Sequence, residues 1–103
     1  MKYTLNIYKK TGSNYEFAGK RIDMTCDKEP SLAAVLKEAV LSLLLNQQFD
    51  GLYEANLYNI GSKKYDLKLL LFMSKGKLIA VYKVLCGDKR HLTVEECPLY
   101  LGV

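Results

Sequence analysis

Residues 67–73 and 78–86 of this chain read LKLLLFM and LIAVYKVLC, and the residues SKGK at positions 74–77 join them. Two apolar segments of strand length around a glycine-containing turn predict a β-hairpin. Both segments carry apolar residues on both of their faces, which is typical of strands at the centre of a sheet that is covered on two sides. The hairpin therefore raises the question of what covers each side of its sheet.

Alternating apolar and polar residues predict three further strands. Residues 3–8 alternate as a half-buried strand does, and a turn at residues 11–14 leads into a second strand over about residues 15–26. Gly19 lies inside that second strand and indicates a bulge or a bend. Residues 52–60 alternate again, with Tyr53, Ala55 and Leu57 on one side. A turn at residues 61–64 then leads into the hairpin.

A single helix is predicted between the second and third strands. Residues 27–31 read DKEPS, a helix-entry signal in which Pro30 takes the first helical position. The helix is expected to run to about Gln48, where Asp50-Gly51 stops it. Its core stripe consists of Leu32, Leu36, Ala39, Val40 and Leu43, flanked by Val35 and Leu44. The chain is therefore predicted to be one α+β domain over residues 1–103, with the order ββαβββ. Its sheet is expected to be mainly antiparallel, with four to five strands and one amphipathic helix packed on one face.

One helix can cover only one side of this sheet. Strict alternation places Leu70 and Phe72 on one side of their strand and groups Leu78 with Tyr82, opposite Ile79 and Val81, on the next strand. On the helix, Leu41 and Leu45 lie on the side opposite the core stripe. Two interpretations stay open. In the first, the apolar tail at residues 92–103 docks on the helix or the sheet and covers the exposed apolar residues. In the second, the exposed apolar residues of the helix and the sheet bind a partner, which is a second copy in a homodimer or a different protein. The predicted partner-binding residues are Leu41, Leu45, Leu70, Phe72 and Tyr82.

Composition narrows the class of protein. Half of the 103 residues are hydrophobic and the net charge is +4, an ordinary globular balance. The three cysteines are an odd number without short paired spacings, which argues against a secreted disulfide scaffold. The N-terminal residues show no hydrophobic region of a signal peptide, and no apolar run approaches the length of a membrane span. A cytoplasmic protein without membrane contact is therefore expected.

Basic residues are concentrated in the segment 61–91, which contains eight lysine and arginine residues and only two acidic residues, Asp66 and Asp88. They are Lys63, Lys64, Lys68, Lys75, Lys77, Lys83, Lys89 and Arg90. With tyrosines nearby, they form an alternative nucleic-acid-binding surface. No motif of a common RNA-binding or DNA-binding domain accompanies them, and lysines at turns and strand edges ordinarily protect a sheet from aggregation.

Three thiols and one imidazole, those of Cys26, Cys86, His91 and Cys97, match the ligand count of a structural zinc site. Their spacing lacks a Cys-x2-Cys knuckle, so buried free thiols are the competing interpretation. No nucleophile–base pair and no glycine-rich phosphate loop is recognisable, since Gly76-Lys77 lacks the loop that precedes such a lysine. Neither a catalytic residue nor a cofactor is therefore predicted.

The sequence favours a small intracellular, non-enzymatic protein-binding module. It would act by steric docking, as an inhibitor, adaptor or accessory subunit of a larger assembly. Its size and lack of motifs are analogous to those of small phage or mobile-element proteins that block host machinery. The alternative is a nucleic-acid-binding accessory protein that uses the basic segment 61–91, and the third hypothesis is a small zinc or thiol protein.

Overall fold

The computed structural model describes residues 2–18, 21–25, 30–60, 65–85 and 88–91. Within these ranges the chain forms one helix and seven strands. In chain order they are β1 (Lys2–Thr11), β2 (Asn14–Phe17), β3 (Ile22–Thr25), α1 (Leu32–Leu45), β4 (Gly51–Asn59), β5 (Tyr65–Ser74), β6 (Lys77–Leu85) and β7 (Asp88–His91). No helix in the described ranges is both long and apolar enough to cross a membrane.

The strands form one antiparallel sheet in the order β2-β1-β4-β5-β6-β7, with β3 also paired to β1. β2 pairs with the second half of β1 and β3 with its first half, so these two short strands share one position at the sheet edge. The helix makes the one crossover, from β3 to β4 on the other side of β1. This arrangement confirms the predicted α+β class.

The sheet has more strands than the four to five that were predicted. The second strand divides in two between Phe17 and Ile22, and β7 adds a strand beyond β6. Gly19, the predicted bulge or bend, and the apolar tail at 92–103 lie outside the described residues.

The predicted hairpin consists of β5 and β6 and lies inside the sheet, between β4 and β7. Its two turn residues, Lys75 and Gly76, have φ angles of 51° and 77°, as the central residues of a type I′ turn do. The Lys75 N–H donates to Asp50 Oδ1 at 2.9 Å, and the Gly76 N–H donates to the Phe49 carbonyl at 3.1 Å. Two hydrogen bonds thus connect the loop after α1 to the hairpin turn.

A β-bulge in the hairpin corrects one prediction from strict alternation. Leu78 lies opposite Met73 and Ala80 lies opposite Phe72, so Ile79 is an extra residue in β6. As a result Leu78 packs against the helix-side core and Ile79 is exposed. Period-2 alternation cannot reveal such an extra residue, because its presence depends on the pairing with β5.

The N-terminus of α1 differs from its prediction by two residues. The Ser31 side chain accepts the Ala34 N–H at 3.1 Å and is the N-cap, so the helix begins at Leu32. Pro30 therefore lies before the cap and does not take the first helical position. A serine oxygen satisfies a free N–H of the first turn, which explains why the helix starts here.

A Schellman motif ends α1 at Leu45, before the predicted end at Gln48. The Gln47 N–H donates to the Leu44 carbonyl at 3.1 Å, and the Gln48 N–H donates to the Leu43 carbonyl at 2.8 Å. Gln47 has a φ of 59°, in the left-handed region that favours glycine. The helix therefore stops at the expense of backbone strain at Gln47.

Replacing Gln47 by glycine is expected to raise the free energy of unfolding by about 0.5–1 kcal/mol, because glycine adopts a positive φ without a steric cost. The matched control is Lys37→Gly in the exposed middle of the same helix. This control is expected to lower stability by about 1 kcal/mol, since helix-interior glycine costs that much. Urea denaturation of the two variants checks the opposite signs, and a loss of stability in both would contradict the strain at Gln47.

The core lies between α1 and one face of the sheet. From the helix, Leu36, Ala39 and Leu43 of the predicted stripe are buried, and so is Val35, which was predicted to flank it. Leu32 and Val40 of the stripe are partly buried against the same core. From the sheet the buried residues are Tyr3, Leu5, Ile7, Tyr53, Ala55, Leu57, Leu69, Leu71, Met73 and Val81. Alternation along β1, β4 and β5 brings these side chains to the same face, as the sequence predicted for 53, 55 and 57.

Tyr53 ties this core to the loop after the helix. Its buried hydroxyl donates to the Asp50 carbonyl at 2.8 Å, with Gln48 Oε1 at 3.1 Å as a second acceptor. Burial, and secondly the charge of Asp50, raise the pKa of the Tyr53 phenol above its ordinary value. The folded state therefore resists ionisation of this phenol more strongly than the unfolded state does.

The pH dependence follows from that raised pKa. The contribution of Tyr53 to stability is fully present below about pH 10, the ordinary tyrosine pKa, and is lost as the pH rises beyond it, because the unfolded phenol releases its proton first. We expect the unfolding free energy of the wild type to fall more steeply above that pH than that of Tyr53→Phe. Urea titrations between about pH 8 and 11 measure the difference, and parallel curves would contradict the assignment.

Candidate functional site

The side of the sheet opposite α1 is here called the open face. Strand register brings to it Tyr8, Tyr15, Phe17, Asn6, Glu54, Asn56, Lys68, Leu70, Phe72 and Tyr82. Among the described residues no second layer packs over this face, since the one described helix lies on the other side. The tail at residues 92–103, one of the two predicted covers, lies outside the described residues.

An aromatic cluster of Tyr8, Tyr15 and Phe17, here called the aromatic edge, lies where β1 meets β2. Tyr8 pairs with Phe17 and Lys10 pairs with Tyr15, so all four side chains are on the open face. The Tyr8 ring centroid is 4.8 Å from that of Phe17 and 6.5 Å from that of Tyr15, the latter with an interplanar angle of 88°. Phe17 is 65% exposed and Tyr15 47% exposed. Large aromatic surface thus remains in contact with solvent.

Polar side chains occupy the middle of the open face. Glu54 is 6% exposed, and its Oε1 lies 3.3 Å from Lys68 Nζ. The Asn56 Nδ2 donates to Glu54 Oε2 at 3.2 Å. These three residues, here called the polar centre, meet because Glu54 and Asn56 are two residues apart on β4 and Lys68 lies opposite Asn56 on β5. Apolar side chains at these three positions could fill the same space without burying polar groups.

Two buried amide oxygens in this region have no hydrogen-bond partner among the described residues. They are Oδ1 of Asn6 and Oδ1 of Asn56, which lie opposite each other on β1 and β4. Asn56 is only 2% exposed, and its donation to Glu54 fixes which way its amide points. An unpaired buried acceptor costs about 1–3 kcal/mol. Such a group calls for a donor from outside the described structure.

A cavity of about 310 Å³ joins the aromatic edge to the polar centre. It is lined by Tyr8, Tyr15, Glu54, Asn56 and Lys68. Aromatic rings therefore form one side of this cavity, and a carboxylate, an amide and an ammonium form the other. This combination can enclose an apolar group and pair its polar end.

The structure divides the predicted partner-binding residues between two surfaces. Leu70, Phe72 and Tyr82 lie on the open face, where the Phe72 and Tyr82 rings are 5.6 Å apart at 69°. Leu70 is buried among its neighbours, whereas Phe72 and Tyr82 are half-buried. These three residues continue the open face beyond the polar centre, because Leu70 lies opposite Glu54 on one side and Tyr82 on the other.

Leu41 and Leu45 line a separate groove on the flank of α1. This groove has a volume of about 430 Å³ and also involves Ile22, Glu38, Ser42 and Asn46. Both leucines are exposed, Leu45 to 83%. The groove lies on the helix side of the sheet, so Leu41 and Leu45 do not share a surface with Leu70, Phe72 and Tyr82.

The basic residues of the alternative nucleic-acid surface are not gathered on one side of the sheet. Lys68 belongs to the open face and pairs with Glu54, whereas Lys83 lies opposite Leu69 on the helix side. Lys75 and Lys77 are exposed at the hairpin turn. Lys89 and Arg90 belong to β7, of which only the backbone is described, and Lys63 and Lys64 lie outside the described residues.

The predicted zinc ligands lie largely outside the described part of the chain. This holds for Cys26, Cys86 and Cys97, while His91 is described only as a backbone position in β7. Among the described side chains no group of three or more His, Cys, Asp or Glu residues is spaced to hold a metal ion.

An acidic side chain at the β3 end of the sheet is neutralised locally. Asp23 accepts hydrogen bonds from Arg21 Nε at 3.2 Å and from Thr4 Oγ1 at 3.1 Å. The bond from Arg21 and then that from Thr4 lower the pKa of the Asp23 carboxyl. Because the Arg21–Asp23 pair is exposed, it adds little to stability.

Sequence reasoning missed the aromatic edge and the polar centre. A signal was available, since Glu54 and Asn56 alternate with Tyr53, Ala55 and Leu57 along β4. That alternation is equally typical of a solvent-facing strand side. Only the register of β4 with β1 and β5 brings Glu54 and Asn56 to a buried position beside Tyr8 and Lys68.

No protein-family model, curated protein or solved structure matches this chain.

Proposed function

We propose that this protein is a non-enzymatic protein-binding module that docks its partner on the open face. In this role it acts by steric occlusion or bridging, as an inhibitor, adaptor or accessory subunit. The observation that carries the proposal is the combination of exposed aromatic rings at Tyr15 and Phe17 with the unpaired buried acceptor of Asn56. A cluster of exposed aromatic rings is typical of an interaction surface, and a buried unpaired acceptor is satisfied when a partner supplies a donor.

The composition of the open face supports a protein partner. Protein interfaces are enriched in aromatic residues and depleted of charge at their centre, and a few aromatic anchors supply most of the binding free energy. Tyr8, Tyr15, Phe17, Phe72 and Tyr82 provide such rings on one face. The central charges of Glu54 and Lys68 are already paired, so covering them leaves no isolated charge.

The placement of the lysines favours a protein over a nucleic acid. Phosphate binding requires several cations that follow one backbone. The described lysines of the basic segment lie on both sides of the sheet and at its turn, and Lys68 is neutralised by Glu54. The aromatic edge carries one nearby cation, Lys10, whose Nζ lies 5.6 Å from the Tyr15 ring centroid.

Site-specific photo-crosslinking in the source cell tests this proposal. A photo-reactive phenylalanine analogue replaces Phe17 on the open face or, as the control, Leu45 in the groove beside α1. We expect a discrete cross-linked protein from position 17 and none of that mass from position 45, and mass spectrometry identifies it. If the cross-linked protein is a second copy of this chain, the partner is the other subunit of a homodimer.

The identified partner is then produced and titrated with matched variants. Phe17→Ser is expected to weaken binding at least tenfold, because removing an interface anchor costs about 2 kcal/mol or more, whereas Leu45→Ser is expected to bind as the wild type does. Binding should persist as salt is raised from about 0.1 to 0.5 M, since apolar docking is screened little. Equal loss in both variants, or cross-linking of position 17 to a nucleic acid instead of a protein, would refute the proposal.

A further inference from the structure

The cavity between the aromatic edge and the polar centre has a specific chemistry. We propose that it receives one tyrosine or tryptophan side chain of the partner protein, whose O–H or N–H donates to Oδ1 of Asn56. This inference rests on the proposed function and names the anchor that the partner must supply. It is carried by the juxtaposition, in the lining of one cavity, of two tyrosine rings with Asn56, whose amide oxygen is buried and unpaired.

The size of the cavity fits a single side chain. Its volume of about 310 Å³ lies at the lower end of the range for ligand pockets, about 300–1,000 Å³. The groove beside α1 is larger, at about 430 Å³, but among its described side chains none holds a buried unpaired polar atom. Nothing in that groove selects an occupant, whereas the cavity on the open face specifies both an apolar surface and a donor.

The walls of the cavity select an aromatic ring. The Tyr8 and Tyr15 rings both line the cavity and are nearly perpendicular, with their centroids 6.5 Å apart, so a third ring that enters the cavity would contact them. Aromatic pairs contribute about 0.5–1.5 kcal/mol beyond the area they bury. An aliphatic side chain would fill part of the space but would leave the Asn56 oxygen without a donor.

The polar side of the cavity selects a neutral donor. Asn56 Oδ1 can only accept a hydrogen bond, and its amide is held in that orientation by Glu54. The carboxylate that lines the cavity, Glu54, is already paired with Lys68, so a cationic lysine or arginine of a partner would lose its hydration without gaining an unpaired counter-charge. Tyrosine and tryptophan combine a large ring with one uncharged donor, and they are the residues most often found as interface anchors.

The Asn56 acceptor is covered in this structure. Asn56 Oδ1 is inaccessible to solvent, while Tyr15 at the rim is nearly half exposed. A donor can therefore reach this oxygen only if side chains around it move, and of the two lining rings Tyr15 is the more exposed. Asn6, whose Oδ1 is also unpaired, does not line the cavity, so the donor is assigned to Asn56 alone.

The test uses small probes on the whole protein. p-Cresol represents a tyrosine side chain, 3-methylindole represents tryptophan, and 4-methylanisole is the matched probe whose hydroxyl is capped and cannot donate. NMR titration of the isotope-labelled protein measures the dissociation constant of each probe, and the chemical-shift changes show where the probe binds. We expect p-cresol or 3-methylindole to bind about tenfold more tightly than 4-methylanisole, with shifts in the Asn56 side-chain amide, because the capped probe leaves the acceptor unpaired.

Two variants and one control separate the contributions. Asn56→Leu is expected to abolish the preference for the donor-bearing probes, so that the ratio of dissociation constants falls to about one. Tyr15→Ala is expected to weaken all three probes, and its exposed position protects the fold from the change. Asn59→Leu, the same substitution three residues along β4 on the other side of the sheet, is expected to keep the preference.

Several outcomes would overturn the inference. One is equal binding of the donor-bearing and capped probes, and another is that chemical-shift changes are confined to the groove beside α1. A third is that the preference for donor-bearing probes survives Asn56→Leu. The last is that no probe binds up to its solubility limit because an ordered water already donates to the Asn56 oxygen. The two proposals fail separately. If the probes bind as expected but Phe17→Ser does not affect the partner, the proposed function fails; if the probes fail while Phe17→Ser abolishes binding, only the anchor is wrong.

Discussion

Replacing Leu36 by alanine is expected to lower the free energy of unfolding by about 3 kcal/mol. Leu36 is fully buried in the stripe of α1 that faces the sheet, so its truncation removes apolar burial and leaves a cavity. Small domains have total stabilities of about 5–15 kcal/mol, so this loss is a large fraction of the whole. The effect is large because this stripe is the main contact between the one described helix and the sheet.

The matched control for this prediction is Leu45→Ala, nine residues later on the same helix. Leu45 is 83% exposed, so the same truncation is expected to change stability by less than about 0.5 kcal/mol. Urea denaturation followed by circular dichroism measures both variants. A cost of similar size for the two leucines would contradict the assigned orientation of α1 on the sheet.

Replacing Lys68 by methionine is expected to cost about 2 kcal/mol. The change leaves the buried Glu54 carboxylate with the Asn56 amide but without its nearest cation, which lies 3.3 Å away in the wild type. Because Lys68 is partly exposed, water can replace some of its contribution, and the cost stays below that of a fully buried pair. Lys37→Met, an exposed lysine on α1, is the control and is expected to be nearly neutral.

Replacing the whole polar centre is expected to have the opposite result. In the triple variant Glu54→Leu/Asn56→Leu/Lys68→Met, the buried carboxylate and the unpaired amide oxygen are both removed. Its stability should therefore equal or exceed that of the wild type. The same variant is expected to lose binding of the partner identified by photo-crosslinking. A triple variant much less stable than Lys68→Met alone would mean that the polar centre serves folding.

These paired predictions separate stability from function. The helix-side face of the sheet is apolar and accounts for folding, so truncation there is costly. The polar centre on the open face carries an unpaired acceptor that folding alone does not explain. Groups that lower stability are commonly retained at binding sites, where a ligand supplies the missing partner.

Some of the fold could be predicted from local patterns. The turn Lys75-Gly76 needs positive φ angles, which the Ser-Lys-Gly-Lys segment indicated, and the 3.6-residue period of Leu32 to Leu43 predicted the helix and its buried stripe. The helix ends were less accurate. Ser31 and Pro30 both fit a helix start, and the strained Schellman turn at Gln47 gives no glycine signal.

Neither the bulge at Ile79 nor the bounds of β2 and β3 could be predicted in this way, although Gly19 indicated a bulge or a bend in the second strand. Both depend on how one strand pairs with its neighbour, since an extra residue shifts alternation only relative to a partner. Local patterns also could not show that Leu41 and Leu45 lie on a different surface from Phe72 and Tyr82. This separation follows from the crossover of α1, which places the helix on one side of the sheet.

The amino-acid sequence by itself determined the hairpin, the amphipathic helix and the antiparallel α+β class, and it raised the question of what covers the second side of the sheet. These features are local, because they follow from periods of 2 and 3.6 residues and from turn chemistry. Only the tertiary structure decided where binding is proposed. Tyr8, Tyr15, Glu54, Asn56 and Lys68 come from four strands, and strand order and register, which are set by non-local hydrogen bonding, bring them to one cavity.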